Sequence, residues 1–117
     1  MKKKIISLGM FQILKSLVQR IKKNKRKNTK ISYTAFLLKN KNNICSKKFL
    51  EEAKELFKAS YFNKKKEIIY EAADLLYHFL VLLELKKISI TSVMNELKRR
   101  QKISGIEEKK NRNKNVR

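Results

Sequence analysis

Residues 64–86, KKKEIIYEAADLLYHFLVLLELK, constrain the fold more than any other stretch. Ile68, Ile69, Ala72, Ala73, Leu75, Leu76, Phe79, Leu80, Leu82 and Leu83 recur with a 3.6-residue period, and neither proline nor glycine interrupts them. The apolar positions cover more than one narrow stripe, so the pattern predicts a long helix that must be covered on several sides. The preceding residues 47–60 also read as a helix, with Phe49, Leu50, Ala53, Leu56 and Phe57 on its packing face and Glu51, Glu52 and Glu55 on its polar side. Only a short turn around Asn63 separates the two. Such a connection favours antiparallel neighbours.

Both helices carry carboxylates spaced to share a face. Glu52 and Glu55 form one i,i+3 pair, and Glu71 and Asp74 form another. Across an antiparallel pair the four side chains can meet and surround divalent cations. Glu71 and Asp74 lie inside the apolar run, where an uncompensated carboxylate is expensive, so a hard cation or a basic partner is expected. The competing reading is a solvated face on which these carboxylates pair with lysines.

The remaining chain supplies shorter elements. Phe11, Ile13, Leu14, Leu17, Val18 and Ile21 predict an amphipathic helix over about 9–23, and the KRKN-rich stretch 24–30 reads as a loop. Ser32 can cap a short helix through Leu38, residues 39–43 form a polar connector, and Ser46 is a candidate cap for the acidic helix. Ser89 or Ser92 can cap a further helix whose Val93, Met94 and Leu97 make a modest apolar strip. Gly105 marks a break. The final EEKKNRNKNVR has no apolar face, so residues 105–117 read as a basic tail, mobile unless substrate or a second subunit orders 105–112.

At 117 residues the chain is most simply one small domain. Its 31 Lys and Arg against 10 Asp and Glu give a formal charge of +21, which predicts salt-sensitive attraction to nucleic acid, nucleotides and acidic membranes. The basic residues are scattered, without an aromatic platform or structural ligands, so no specific nucleic-acid partner is expected. Cys45 is the lone cysteine, which excludes an internal disulfide and a cysteine-rich metal site and fits the reducing cytoplasm. The opening MKKKIISLGMFQIL loosely matches a signal-peptide start, but Lys15 ends its apolar stretch and no small-residue cleavage pattern follows. The apolar run near residue 80 is interrupted by Tyr77, His78 and Glu84. No stable membrane association is expected.

The segment YEAADLLYHFLVLLELKKISITSVMNELKRR, with ISYTAFLL and EEAKE upstream and RRQKISGIEEKKNR downstream, closely resembles the phosphoribosyl-ATP pyrophosphatase family of histidine biosynthesis. The resemblance runs from about residue 14 to 112. It implies an all-α bundle of the nucleoside-triphosphate pyrophosphatase type, a domain over 8–104, and a core completed by homodimerisation. That family's ExxE and ExxD helices fall on Glu52 and Glu55 and on Glu71 and Asp74, which would hold Mg2+. Glu51, Glu52 and Glu55 become candidates to orient the attacking water. Ser32, Tyr33 and Thr34 would lie near the substrate phosphoribosyl-ATP, Lys47 and Lys48 would neutralise phosphate, and His78 would support the ligands. Arg99, Arg100, Ser104, Gly105, Glu108, Lys109 and Arg112 match the characteristic end, with Arg99, Arg100, Lys109 and Arg112 as phosphate contacts. Two departures stand out: Leu50 replaces a common glycine before the acidic cluster, and Ile44 replaces a lysine.

The implied reaction is phosphoribosyl-ATP plus water giving phosphoribosyl-AMP and pyrophosphate. One competitor keeps the fold but acts on ordinary nucleoside triphosphates. Another is a non-enzymatic basic helical protein that binds nucleic acid, and against it stands the repulsion between an acidic centre and phosphate.

Overall fold

The computed structural model describes residues 2–39, 43–102 and 105–115, and the side chains of 9–39, 43–102, 105–107 and 109–112. Every regular element among the described residues is a helix: α1 (Lys2–Asn24), α2 (Tyr33–Lys39), α3 (Ile44–Tyr61), α4 (Lys65–Leu85), α5 (Ile90–Arg100) and α6 (Gly105–Asn115). The chain is therefore all-α, as its periodicity requires. Residues 1–87 and 88–117 form separate compact units.

In the first unit α3 and α4 make the principal packing contact, and α1 and α2 lie on α4. The α3–α4 pair is antiparallel, because Phe49 near the start of α3 meets Phe79 toward the end of α4 with ring centroids 6.3 Å apart. The reversal takes three residues. Phe62 N–H donates to Lys58 O at 3.2 Å and Asn63 N–H to Ser60 O at 3.2 Å, while Asn63 adopts the left-handed φ of 55° that asparagine tolerates better than most residues. Ile21 of α1, Ala35 and Leu37 of α2, Cys45 and Ala59 of α3, and Leu80 and Val81 of α4 are buried together with His78. Lys25, just past α1, is tied to the largely buried Glu84 of α4 at 2.9 Å.

Local chemistry sets the helix starts. Ser32 caps α2 by accepting from Ala35 N–H at 3.1 Å, and Ser89 caps α5 by accepting from Thr91 N–H at 3.1 Å. Ser46 does not cap α3. That helix begins three residues before the expected Lys47, after Asn43 with φ 57° and no side-chain cap bond, which places Ser46 inside the first turn. Helix α1 likewise starts at Lys2 rather than near Gly9, because KKKIISL contains no breaker and a Cβ at Gly9 would meet nothing within 4 Å. Leu50, the residue standing for glycine, is 56% exposed and leaves the approach of α3 to α4 unobstructed.

In the second unit, Val93 and Met94 of α5 are half-buried and Leu97 is exposed. The stretch read as a mobile basic tail is helical from Gly105 to Asn115, since glutamate and lysine are good helix formers even without an apolar face. Ser104, the side chain of Glu108 and residues 116–117 lie outside what is described, as do 40–42 of the polar connector.

Candidate active site

The antiparallel register brings one turn of α3 against two turns of α4. Glu52, Asp74 and His78 each present a ligand-capable atom, and all three atoms lie within 4.8 Å of one another. Glu52 and Asp74 are half-buried and His78 is buried. Burial first, then hydrogen-bonding reach to the Asp74 carboxylate and the charges of Asp74 and Glu71, push the Glu52 carboxyl above its ordinary value, while His78 pulls it down. Two carboxylates this close repel unless a proton or a cation lies between them. Two oxygen donors at such a spacing suit a hard divalent cation.

The other two expected ligands sit one turn away on the same helices. Glu71 is half-buried and close enough for its charge to be felt at Glu52. Glu55 does not join the cluster: it is exposed and faces Lys58 of its own helix at 3.6 Å. Glu51 is also exposed and accepts from Lys48 Nζ at 3.1 Å, which raises the Lys48 pKa. Lys47 is exposed on the same turn.

His78, expected only to support the ligands, joins the metal-capable cluster from one turn beyond Asp74. Its ring is fixed from both sides. Nδ1 lies 2.8 Å from the Asp74 backbone carbonyl, which can only accept, so Nδ1 carries the proton. In the neutral ring Nε2 is then an acceptor, and Tyr33 Oη–H donates to it at 3.1 Å. Burial holds the Tyr33 phenol above its usual pKa, aided by Tyr77, Glu52 and Asp74 against the opposing pull of Lys48, so Tyr33 keeps its donor hydrogen at neutral pH.

Of the Ser32–Tyr33–Thr34 segment, Tyr33 alone reaches the cluster. The Ser32 hydroxyl holds backbone, accepting from Ala35 N–H and donating to Asn24 O at 3.3 Å. Thr34 is buried and its hydroxyl bonds to the Tyr77 hydroxyl. Arg99, Arg100, Lys109 and Arg112 belong to the second unit. There Arg99 donates to Glu96 through Nε at 3.0 Å and through Nη2 at 2.7 Å, and Arg100 Nε donates to Glu96 at 2.9 Å. Lys109 and Arg112 are exposed on α6.

Comparison with known proteins matches residues 14–101 to the family model described as phosphoribosyl-ATP pyrophosphohydrolase. The chain is 46% identical over 105 residues to the histidine biosynthesis bifunctional protein HisIE of Helicobacter hepaticus, covering 90% of this chain and 46% of the relative. It is 42% identical over 103 residues to the phosphoribosyl-ATP pyrophosphatase of Nitrosomonas eutropha, covering 88% of each. The corresponding protein of Vesicomyosocius okutanii is 40% identical over 104 residues, 89% of this chain and 99% of that one. The chain thus spans about half the length of the bifunctional relative and nearly all of the single-function ones.

Proposed function

Because this chain belongs to the phosphoribosyl-ATP pyrophosphohydrolase family, we propose that it hydrolyses phosphoribosyl-ATP to phosphoribosyl-AMP and pyrophosphate. The observation that carries the reading is the Glu52–Asp74 pair, two carboxylates held together with a third, Glu71, nearby. Glu52 and Asp74 would hold Mg2+, with Glu71 as a further oxygen donor, and Glu55 would add one only by turning away from Lys58. Bound there, the ion would neutralise charge on the triphosphate and make phosphorus more electrophilic.

The side chains divide the rest of the work. Lys47 and Lys48, on the turn of α3 that carries Glu51, meet phosphate oxygens. A carboxylate of the Glu51, Glu52 and Glu55 run accepts the proton of the attacking water as its oxygen bonds to the α-phosphorus. The α–β bridging bond breaks and pyrophosphate leaves with that electron pair. His78, held by the Asp74 carbonyl and Tyr33, keeps Asp74 facing Glu52.

The active form is a homodimer. Phe49, Leu56, Ala72, Leu75, Leu76 and Phe79 line an open groove of about 410 Å³ on the α3–α4 pair, and Phe57 and Ile69 are each 70% exposed. Covering each such side chain contributes about 1.5–3 kcal/mol, and a second copy of the same face is self-complementary. Light scattering should give twice the monomer mass for the wild type and a shift toward monomer for Leu76→Lys. Among the described residues no helix is long and apolar enough to cross a membrane, and we place the enzyme in the cytoplasm.

Pyrophosphate release from phosphoribosyl-ATP, with and without Mg2+, tests the reading. The wild type should require the ion, and Glu71→Ala should lose most activity. Faster turnover of ordinary nucleoside triphosphates would overturn the substrate assignment.

A further inference from the structure

The basic loop between α1 and α2 takes no part in the carboxylate chemistry, yet its own hydrogen bonds hold it in one shape. Lys27 N–H donates to Asn24 O at 3.0 Å, Ile31 and Ser32 N–H donate to Asn28 O at 3.1 and 3.0 Å, and Lys30 N–H donates to Asn28 Oδ1 at 2.8 Å. Lys39 Nζ reaches back from α2 to Lys27 O at 2.9 Å. Against this loop lies a cavity of about 260 Å³ lined by Asn24, Lys27, Ser32, Tyr33, Thr34 and Tyr77, with Ile31 as its apolar contribution. Its lining is polar, with one amide residue, four hydroxyl residues and one lysine, and no acidic residue among the described ones. Its volume lies below the roughly 300–1,000 Å³ of pockets that enclose a whole ligand, so it suits one end of a larger molecule. Tyr33 belongs to both places, because it lines the cavity and its hydroxyl donates to His78 of the carboxylate cluster.

We propose that this cavity receives the ribose 5-phosphate end of the substrate, the end that hydrolysis leaves untouched, with Lys27 on the phosphate and the Thr34 and Tyr77 hydroxyls toward the sugar. The inference rests on the substrate reading above. A sugar phosphate monoester carries about −1.5 to −2 charges at neutral pH, and a carboxylate cluster repels it. It therefore needs its own cation, away from the acidic residues, and lysine serves as a point-charge phosphate contact. An ordinary nucleoside triphosphate has no group for this cavity, so discrimination against it arises here, at a distance from the bond that breaks.

The test measures KM and kcat for pyrophosphate release from phosphoribosyl-ATP, and inhibition by ribose 5-phosphate and by orthophosphate, in wild type, Lys27→Met and Lys27→Arg. Lys27 is exposed, so these variants should fold. Lys27→Met should raise KM about tenfold with kcat within about twofold, as expected for lost uniform binding, and should weaken ribose 5-phosphate inhibition in parallel. Lys27→Arg should recover most of both. An unchanged KM in Lys27→Met, or a fall in kcat at constant KM, would overturn the proposal. So would orthophosphate that competes as well as ribose 5-phosphate in the wild type. A wild-type protein that releases no pyrophosphate from phosphoribosyl-ATP would remove the underlying substrate reading as well, and the wild-type arm alone reveals that case.

Discussion

Glu52 on α3 and Glu96 on α5 are both helical glutamates in a chain that carries +21, and their surroundings are opposite. Arg99 and Arg100, three and four residues on, hold the Glu96 carboxyl down to about 2, the signature of a charge satisfied within its own helix. Burial and then Asp74 push Glu52 up, with Glu71 adding to the effect. With cations abundant in the sequence, the fold still sets carboxylate against carboxylate at Glu52. The contrast separates structural from functional acids: the first kind finds its counter-charge in the chain, and the second is left to take one from solution.

The largest expected effect falls on one side of that contrast. Asp74→Asn should lower kcat for Mg2+-supported pyrophosphate release by at least about 10³-fold, the scale of removing a group that anchors the charge of a phosphoryl transition state, while Glu96→Gln stays within about twofold. Equal losses in the two would break the comparison. Tyr33→Phe removes the donor to His78 without touching either carboxylate. It should cost about tenfold in kcat/KM, placing the edge of the functional region at that hydroxyl.

Stability should move the other way. Glu52→Gln relieves the crowding with Asp74 and should raise the metal-free Tm by about 3 °C at pH 7, although activity falls. Calorimetry would check the sign, and a lower Tm would mean that the pair is stabilising as it stands.

The smallest effect lies in pH dependence, where the two glutamates have opposite signs. The Glu52 pKa is raised, so between the ordinary 4.5 and its folded value the folded state holds a proton that the unfolded chain releases, and metal-free stability falls as pH rises through that window. The Glu96 pKa is lowered, so its contribution is complete above 4.5 and is lost as pH falls toward about 2. Titrating Tm against pH for wild type, Glu52→Gln and Glu96→Gln resolves both. Slopes of the same sign would undo the distinction.

Much of this was legible in the sequence. The unbroken period of α4 and the short reversal at Asn63 require an antiparallel α3–α4 pair, and that register is what brings Glu52 to Asp74. Ser32 and Ser89 announced their helices because a hydroxyl at that position has a definite backbone donor to satisfy. Spacing alone could not say that Glu55 would turn to Lys58 while His78 closed the cluster, since i,i+3 pairs show which face two residues share but not which rotamer each adopts. Helix α6 escaped notice because it has no apolar face, leaving intrinsic propensity as its only signal. The cavity beside the 24–32 loop was hidden for a different reason: its lining comes from loop, α2 and α4 together, and a lysine-rich loop looks like any solvated surface until its hydrogen bonds are known.

The most direct test of the central claim is calorimetric titration of the metal-free protein with Mg2+, and with Mn2+ as a second probe, in wild type, Glu52→Gln, Asp74→Asn and Glu96→Gln. Saturable binding is expected in wild type and Glu96→Gln, and loss of that binding in both Glu52→Gln and Asp74→Asn. Undiminished binding in Glu52→Gln and Asp74→Asn would contradict it.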